Sequence, residues 1–279
     1  MKVGIGMSFF DSEKEIPRAL NPIYKHVDKI YAIDGRYSNY VADHDYSIDN
    51  SVKLLEKYPN VVIDKLVAFQ PDKRQRYLDL AGEDKCDYLI VFDSDDFIHP
   101  DYQNWDLFYK NLEKTAKKNK EYQLFYMKTF IPNTWAKAHN AIRWNTWKKY
   151  TRIHKNPGQQ RYCLDCHYWW CNKDTTDEDL VLGRKGMYIT KHLIDGVRLT
   201  TDSTLRTDKK LEARDNWAWN NICEEQRRLY FKNCDYLYGY PHPEEDGFWS
   251  YNEKGKPIEK IAEEDGTLVP KILNNKVTV

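Results

Sequence analysis

The chain has 279 residues, enough to bury a large core as one domain or as one domain plus an extension. Its 43 basic and 43 acidic residues cancel, so overall charge singles out no polyanionic partner and only local asymmetry can. No apolar run approaches the roughly 20 residues that span a bilayer, and six cysteines are too few for a disulfide scaffold of this length. The opening Met1-Lys2-Val3-Gly4-Ile5-Gly6 reads as a strand, without the apolar stretch and cleavage site of a signal peptide, so a soluble, cytoplasmic protein with reduced thiols is expected.

In chain order, Val3 to Phe10, Lys29 to Ile33, Val61 to Val67, Tyr88 to Phe92 and Tyr122 to Phe130 read as strands. Ser12 to His26, Asp49 to Tyr58, Asp72 to Ala81 and Tyr102 to Lys118 carry helical spacing and plausible caps. Such alternation argues for an α/β fold, a mostly parallel central sheet with helices on both faces. Right-handed crossovers place the strand ends on one edge, which gathers Ser8, Asp34 and the cluster Asp93-Ser94-Asp95-Asp96. The second half is less regular and more aromatic. There Met187 to Lys191 reads as a strand running into His192, and Thr207 to Lys232 as a helix. After Tyr240-Pro-His-Pro the tail is rich in Glu, Lys and Gly, so residues 1–240 are expected to form the domain and 241–279 an extension.

The acidic cluster follows the most hydrophobic short run, Tyr88-Leu89-Ile90-Val91-Phe92. Ligands of such sheets gather at the strands' carboxyl ends, and carboxylates there suit a hard cation shared with a substrate phosphate, Mg²⁺ or Mn²⁺. The same residues also suit a polar turn and helix cap before Pro100. Asp34-Gly35 is either a carboxylate for ribose hydroxyls or a base edge, or a common tight turn. Lys73-Arg74-Gln75-Arg76 opens a helix, where cations oppose the helix dipole and a nearby anion would explain them. Cys163, Cys166, His167 and Cys171 offer four zinc ligands within nine residues, but spacing this tight with no distant second pair favours packed thiols.

The order of these motifs, Ser8-Phe9-Phe10, then Ile33-Asp34-Gly35, then Lys73-Arg74-Gln75-Arg76-Tyr77, then Phe92-Asp93-Ser94-Asp95-Asp96, resembles the nucleotide-sugar-binding half of family 2 glycosyltransferases of the Rossmann-like GT-A fold. The resemblance covers residues 1–100, and leaves 101–240 as an irregular, aromatic-rich acceptor half. It implies Asp93 and Asp95 for metal and ribose, Asp34 for base or ribose, and Lys73 and Arg76, with Ser8, for the nucleotide. The segment Tyr150 to His167 is similar to an acceptor-side segment of some members, although His167-Tyr168 stands where they have His-Glu. His192 resembles a late histidine that joins the metal in several such enzymes. Thr176-Asp177-Glu178-Asp179 resembles the Glu-Asp base motif, with Asp179 the first choice as base, or else caps a helix.

The implied reaction is transfer of a sugar from a nucleoside diphosphate donor, UDP-linked, to an acceptor hydroxyl with inversion. Metal and basic side chains would neutralise the leaving diphosphate and a carboxylate would take the acceptor's proton. Between Tyr122 and Leu164 there is no Asp or Glu, while Lys128, Lys137, Arg143, Lys148, Lys149, Arg152, Lys155 and Arg161 alternate with Trp135, Trp144, Trp147, Tyr150 and Tyr162. This asymmetry fits an anionic acceptor, whether glycan, lipid-linked glycan or modified DNA, or else a sheet edge with core tryptophans and solvated lysines. Two rivals remain: a nucleotidyltransferase, which usually carries a glycine-rich phosphate loop near the first strand, and a non-catalytic nucleotide- or nucleic-acid-binding protein.

Overall fold

The computed structural model describes residues 1–38, 40, 42–120, 123–131, 146–163, 166–176, 178–179, 188, 192–201, 250–251, 257–262 and 268–271. Four strands, β1 (Val3–Phe9), β2 (Lys29–Asp34), β3 (Val61–Lys65) and β4 (Tyr88–Val91), are parallel and lie in the order β3-β2-β1-β4. Beyond β4 comes β7 (Thr146–Lys155), antiparallel to it, and then β6 (Leu124–Ile131), antiparallel to β7. The far side of β6 takes two parallel partners, β10 (His192–Leu193) and β11 (Val197–Thr201), and β5 (Asp96–Gln103) closes the edge antiparallel to β11. The chain is thus α/β with a mostly parallel central sheet flanked by helices, the class its alternation predicts. Separately, β8 (Gln160–Cys163) and β9 (Cys166–Asn172) form a hairpin, and β12 (Ser250–Tyr251), β13 (Pro257–Ala262) and β14 (Leu268–Lys271) form a small sheet.

Successive side chains of a strand face opposite ways, and β1 shows the consequence. Val3, Ile5, Met7 and Phe9 enter a core shared with α1 (Glu15–Leu20) and α4 (Trp105–Lys118). Gly6 faces α3 (Gln70–Glu83), whose Tyr77 packs so close that a Cβ there would sit 2.4 Å from its ring, and a Cβ on Gly4 would lie 2.9 Å from Tyr31 of β2. These glycines serve packing inside a strand, not a phosphate loop. Tyr77, Leu78 and Ala81 then join Tyr31, Ile33, Leu89 and Val91 in a second core, capped by Tyr162 and Trp170 of the β8–β9 hairpin. At its other end α3 meets the turn after β7, where a Cβ on Gly82 would lie 2.4 Å from Gly158 Cα.

Several boundaries differ from the expectation. The first helix stops at Leu20: Asn21 keeps helical angles, but Pro22 has no N–H to carry the ladder on, and a 3-10 turn over Tyr24–His26 follows. α2 is confined to Ser51–Leu55. The helix expected from Tyr102 starts at Trp105, with Asn104 Oδ1 accepting the Leu107 N–H at 2.9 Å. The preceding residues form β5, an unanticipated strand that tolerates Pro100 because it is an edge. Most of the expected strand at 187–191 and all of the expected helix at 207–232 lie outside the described residues. No helix among the described residues is long and apolar enough to cross a membrane.

Candidate active site

The carboxyl ends of β2, β1 and β4 lie side by side: Phe9 pairs with Asp34, and the Phe92 N–H donates to Gly6 O at 2.9 Å. Ser8, Asp34 and the acidic loop that follows β4 therefore share one edge, as the crossover rule predicts.

At that loop two guanidinium groups converge on the carboxylates. Arg74 of α3 donates from Nη2 to both oxygens of Asp93, at 2.9 and 3.0 Å. Arg152 of β7 reaches Asp93 Oδ2 at 3.2 Å and Asp96 at 3.0 and 3.3 Å. Asp96 is fully buried; it also accepts from Thr201 Oγ1 and from the Asp93 N–H at 2.9 Å. The network joins α3, β4, β5, β7 and β11. Asp96 thus opens β5 while its carboxylate braces the loop from beneath. Burial raises the Asp93 carboxyl, but the Arg74 and Arg152 charges outweigh it and hold the group below the usual range. Burial pushes Asp96 up to about 6 even with Arg152 beside it. Asp95 is buried at 4% exposure, and Ser94 Oγ lies 3.4 Å from Ser12 Oγ of the β1 loop.

A second cluster sits at the end of β2. Asp34 is fully buried, and its Oδ1 accepts both the Ser47 hydroxyl at 2.7 Å and the Ser47 N–H at 3.1 Å. Lys73, 1% exposed, donates to the Gly35 carbonyl and lies over the Tyr37 ring. Burial pushes its ammonium down to about 7, offset only in part by Asp34. Buried polar atoms without a partner in the described structure recur along this edge: Ser8 Oγ, Asp34 Oδ2, Arg74 Nε and Arg152 Nε.

The other expected residues fall elsewhere. Arg76, two residues beyond Arg74 and so turned to the other face of α3, pairs instead with Asp64 at 2.5 Å and Glu83 at 3.8 Å. The guanidinium that α3 turns to Asp93 is Arg74, whose inward orientation four consecutive polar residues do not reveal. His192 begins β10 opposite Phe125, so the sheet order puts β7 and β6 between it and β4. Asp179 and Thr176 form a reciprocal cap: the Asp179 N–H donates to Thr176 Oγ1 at 3.0 Å and the Thr176 N–H to Asp179 Oδ2 at 3.3 Å. Glu178 is exposed, and Asp177 lies outside the described residues. The side chains of Cys163, Cys166 and His167 also lie outside them, and Cys171 is buried.

Among the described residues no three His, Cys, Asp or Glu side chains converge as a metal cage. Mg²⁺ and Mn²⁺ do not require one, since they take one or two carboxylates and complete their shell with water and phosphate. Asp93, with 30% of its side chain exposed, and Asp95, two residues on, suit that contribution.

No family model matches the chain, and no curated relative matches it. Among solved structures it is similar to S. aureus TarS residues 1–349, at 13% identity and a TM-score of 0.40 over 85% of this chain and 80% of that one. It is also similar to the same protein in complex with UDP-GlcNAc, at 14% identity and 0.39 over 86% and 73%. A third similar structure is CMP:2-keto-3-deoxy-manno-octonic acid synthetase complexed with CTP, at 10% identity and 0.31 over 57% and 76%.

Proposed function

We propose that the chain is a GT-A glycosyltransferase that moves a sugar from a UDP-linked donor to an acceptor hydroxyl, with inversion and with Mn²⁺ or Mg²⁺. One observation carries the reading. At the carboxyl ends of adjacent parallel strands, two buried guanidinium groups flank an acidic loop, and Ser8 Oγ, Arg74 Nε and Arg152 Nε have no hydrogen-bond partner among the described residues. Buried donors left unsatisfied are costly, and diphosphate oxygens are the acceptors that would satisfy them.

In this reading Arg74 and Arg152 neutralise charge on the departing diphosphate while orienting Asp93 toward the ribose. Asp95, with Asp93, would hold the divalent cation, which when bound supplies Lewis-acid stabilisation of the leaving group. A carboxylate would take the acceptor's proton; Asp179, the first choice from sequence, would have to leave its cap on Thr176 to do so. The acceptor is anionic: between Tyr122 and Leu164 the sequence carries eight Lys or Arg and no Asp or Glu, a local positive charge that suits an anion.

Calorimetry with UDP in the presence and absence of Mn²⁺ tests the reading. Wild type should bind UDP more tightly with the metal, and Asp95→Ala should lose that increment while remaining folded. Unchanged metal dependence in Asp95→Ala removes the metal assignment. A panel of nucleotide sugars assayed for nucleotide release tests the reaction, and consumption of nucleoside triphosphate with release of pyrophosphate would instead identify nucleotidyl transfer.

A further inference from the structure

The loop between β2 and α2 returns to the strand ends and brings a ring with it. His44 Nε2 lies 2.7 Å from Asp11 Oδ2, and the His44 ring stacks on Phe10 with centroids 5.0 Å apart and planes 29° apart. Asp11 follows β1 by two residues and has a φ of 45°, a left-handed backbone that a side-chain-bearing residue adopts when its surroundings impose it. The surroundings do so. The Asp11 N–H donates to Ser47 Oγ at 2.9 Å, and Asp11 Oδ1 accepts the Ile48 N–H at 3.0 Å. Ser12, the next residue, touches Ser94 of the acidic loop, so the pair stands beside the site described above.

The same loop closes Asp34 off. Ser47 occupies Asp34 Oδ1 through two hydrogen bonds, and Asp34 has no exposed surface. His44 of the same loop keeps 26% of its side chain exposed. A carboxylate only accepts, so the Asp11 contact keeps the proton on Nε2, and in the neutral ring Nδ1 is then a lone pair. Among the described residues nothing else hydrogen-bonds to this ring.

We infer that His44, oriented by Asp11, hydrogen-bonds through Nδ1 to a donor group on the nucleoside half of the substrate, the position expected of Asp34. The inference rests on the UDP-donor reading above. An acceptor nitrogen matches a ribose hydroxyl or the imide N–H of uracil, and it mismatches cytosine, whose ring N3 is itself an acceptor. Asp11 is a positioning residue in this scheme. Asp11→Asn keeps an oxygen for the Ile48 N–H and turns an amide N–H toward His44, which moves the ring proton to Nδ1 and converts the acceptor into a donor.

Calorimetry with UDP and with CDP, both in Mn²⁺, on wild type, His44→Ala and Asp11→Asn tests it. His44→Ala should weaken UDP roughly three- to tenfold, the worth of one hydrogen bond, with the thermal midpoint unchanged. If the partner is the base, wild type prefers UDP to CDP, His44→Ala brings the two together, and Asp11→Asn weakens UDP while strengthening CDP. If the partner is ribose, His44→Ala weakens both nucleotides equally. UDP bound as tightly by His44→Ala as by wild type overturns the inference and leaves the donor-site reading standing. Wild type that binds neither nucleotide overturns both.

Discussion

Arg152→Met is the most direct test of the ionic network. The substitution keeps an apolar stem and removes the charge, leaving Asp96, with no exposed surface, only the Thr201 hydroxyl and the Asp93 N–H. Asp93 keeps Arg74 at 2.9 and 3.0 Å, so the damage concentrates on Asp96. Stranding a buried carboxylate costs roughly 3–5 kcal/mol, and the lower end is expected here because two hydrogen bonds remain. The group can escape by binding a proton. Burial already pushes its carboxyl up to about 6 with Arg152 in place, and losing the guanidinium raises it further. The folded variant therefore binds a proton that the unfolded chain has released, so its deficit grows as pH rises above about 6 and shrinks below. Denaturant unfolding at pH 5 and pH 8 should show a deficit of about 3 kcal/mol at pH 8 and less than half of it at pH 5. Thermal melts should show a loss of roughly 6–12 °C at pH 8. Asp96→Asn introduced into Arg152→Met should recover most of the loss. A deficit under about 1 kcal/mol at pH 8, or one that Asp96→Asn leaves untouched, refutes the argument.

Lys73 should also show itself through pH. Its folded ammonium is depressed to about 7 while the unfolded side chain holds its proton to about 10.4, so protein stability should rise from pH 7 to pH 9. Lys73→Met should flatten that rise, and parallel pH curves for the two proteins would count against the assigned burial. Gly82→Ala places a methyl 2.4 Å from Gly158 Cα, backbone against backbone, and should cost about 2 kcal/mol in a thermal or urea melt. An unchanged melt would mean that α3 shifts without penalty.

The half of the sheet that positions the site was legible because its strands are buried on both faces. Tyr88–Val91 and Val3–Phe9 read as continuous apolar runs, and parallel connectivity brings their ends together. β5 was not legible. Asp96, Pro100 and Asp101 look like turn residues, and only an edge position next to β11, nearly a hundred residues away, makes a strand of them. The acidic loop was visible as a candidate site, whereas the cations that pair with it were not. Periodicity does not say which of Lys73, Arg74 and Arg76 turns inward, and Arg152 reaches Asp93 through an antiparallel insertion of β7 beside β4 that local sequence does not announce. The burial of Asp34 beneath Ser47 likewise depends on a loop whose course no local pattern sets.

The contact between Gly82 and Gly158 has a consequence for how the molecule tolerates change. Gly158 lies six residues beyond Arg152 on the chain that leaves β7, and Gly82 lies eight residues beyond Arg74, about 12 Å along the helix axis. The two cations of the acidic loop are thus borne on two arms of one frame, hinged at the opposite edge of the sheet. A side chain inserted at that hinge pries the arms apart and withdraws a guanidinium from a carboxylate it never approaches. Substitutions that loosen the acidic loop are therefore to be sought at the base of the molecule as well as at its mouth.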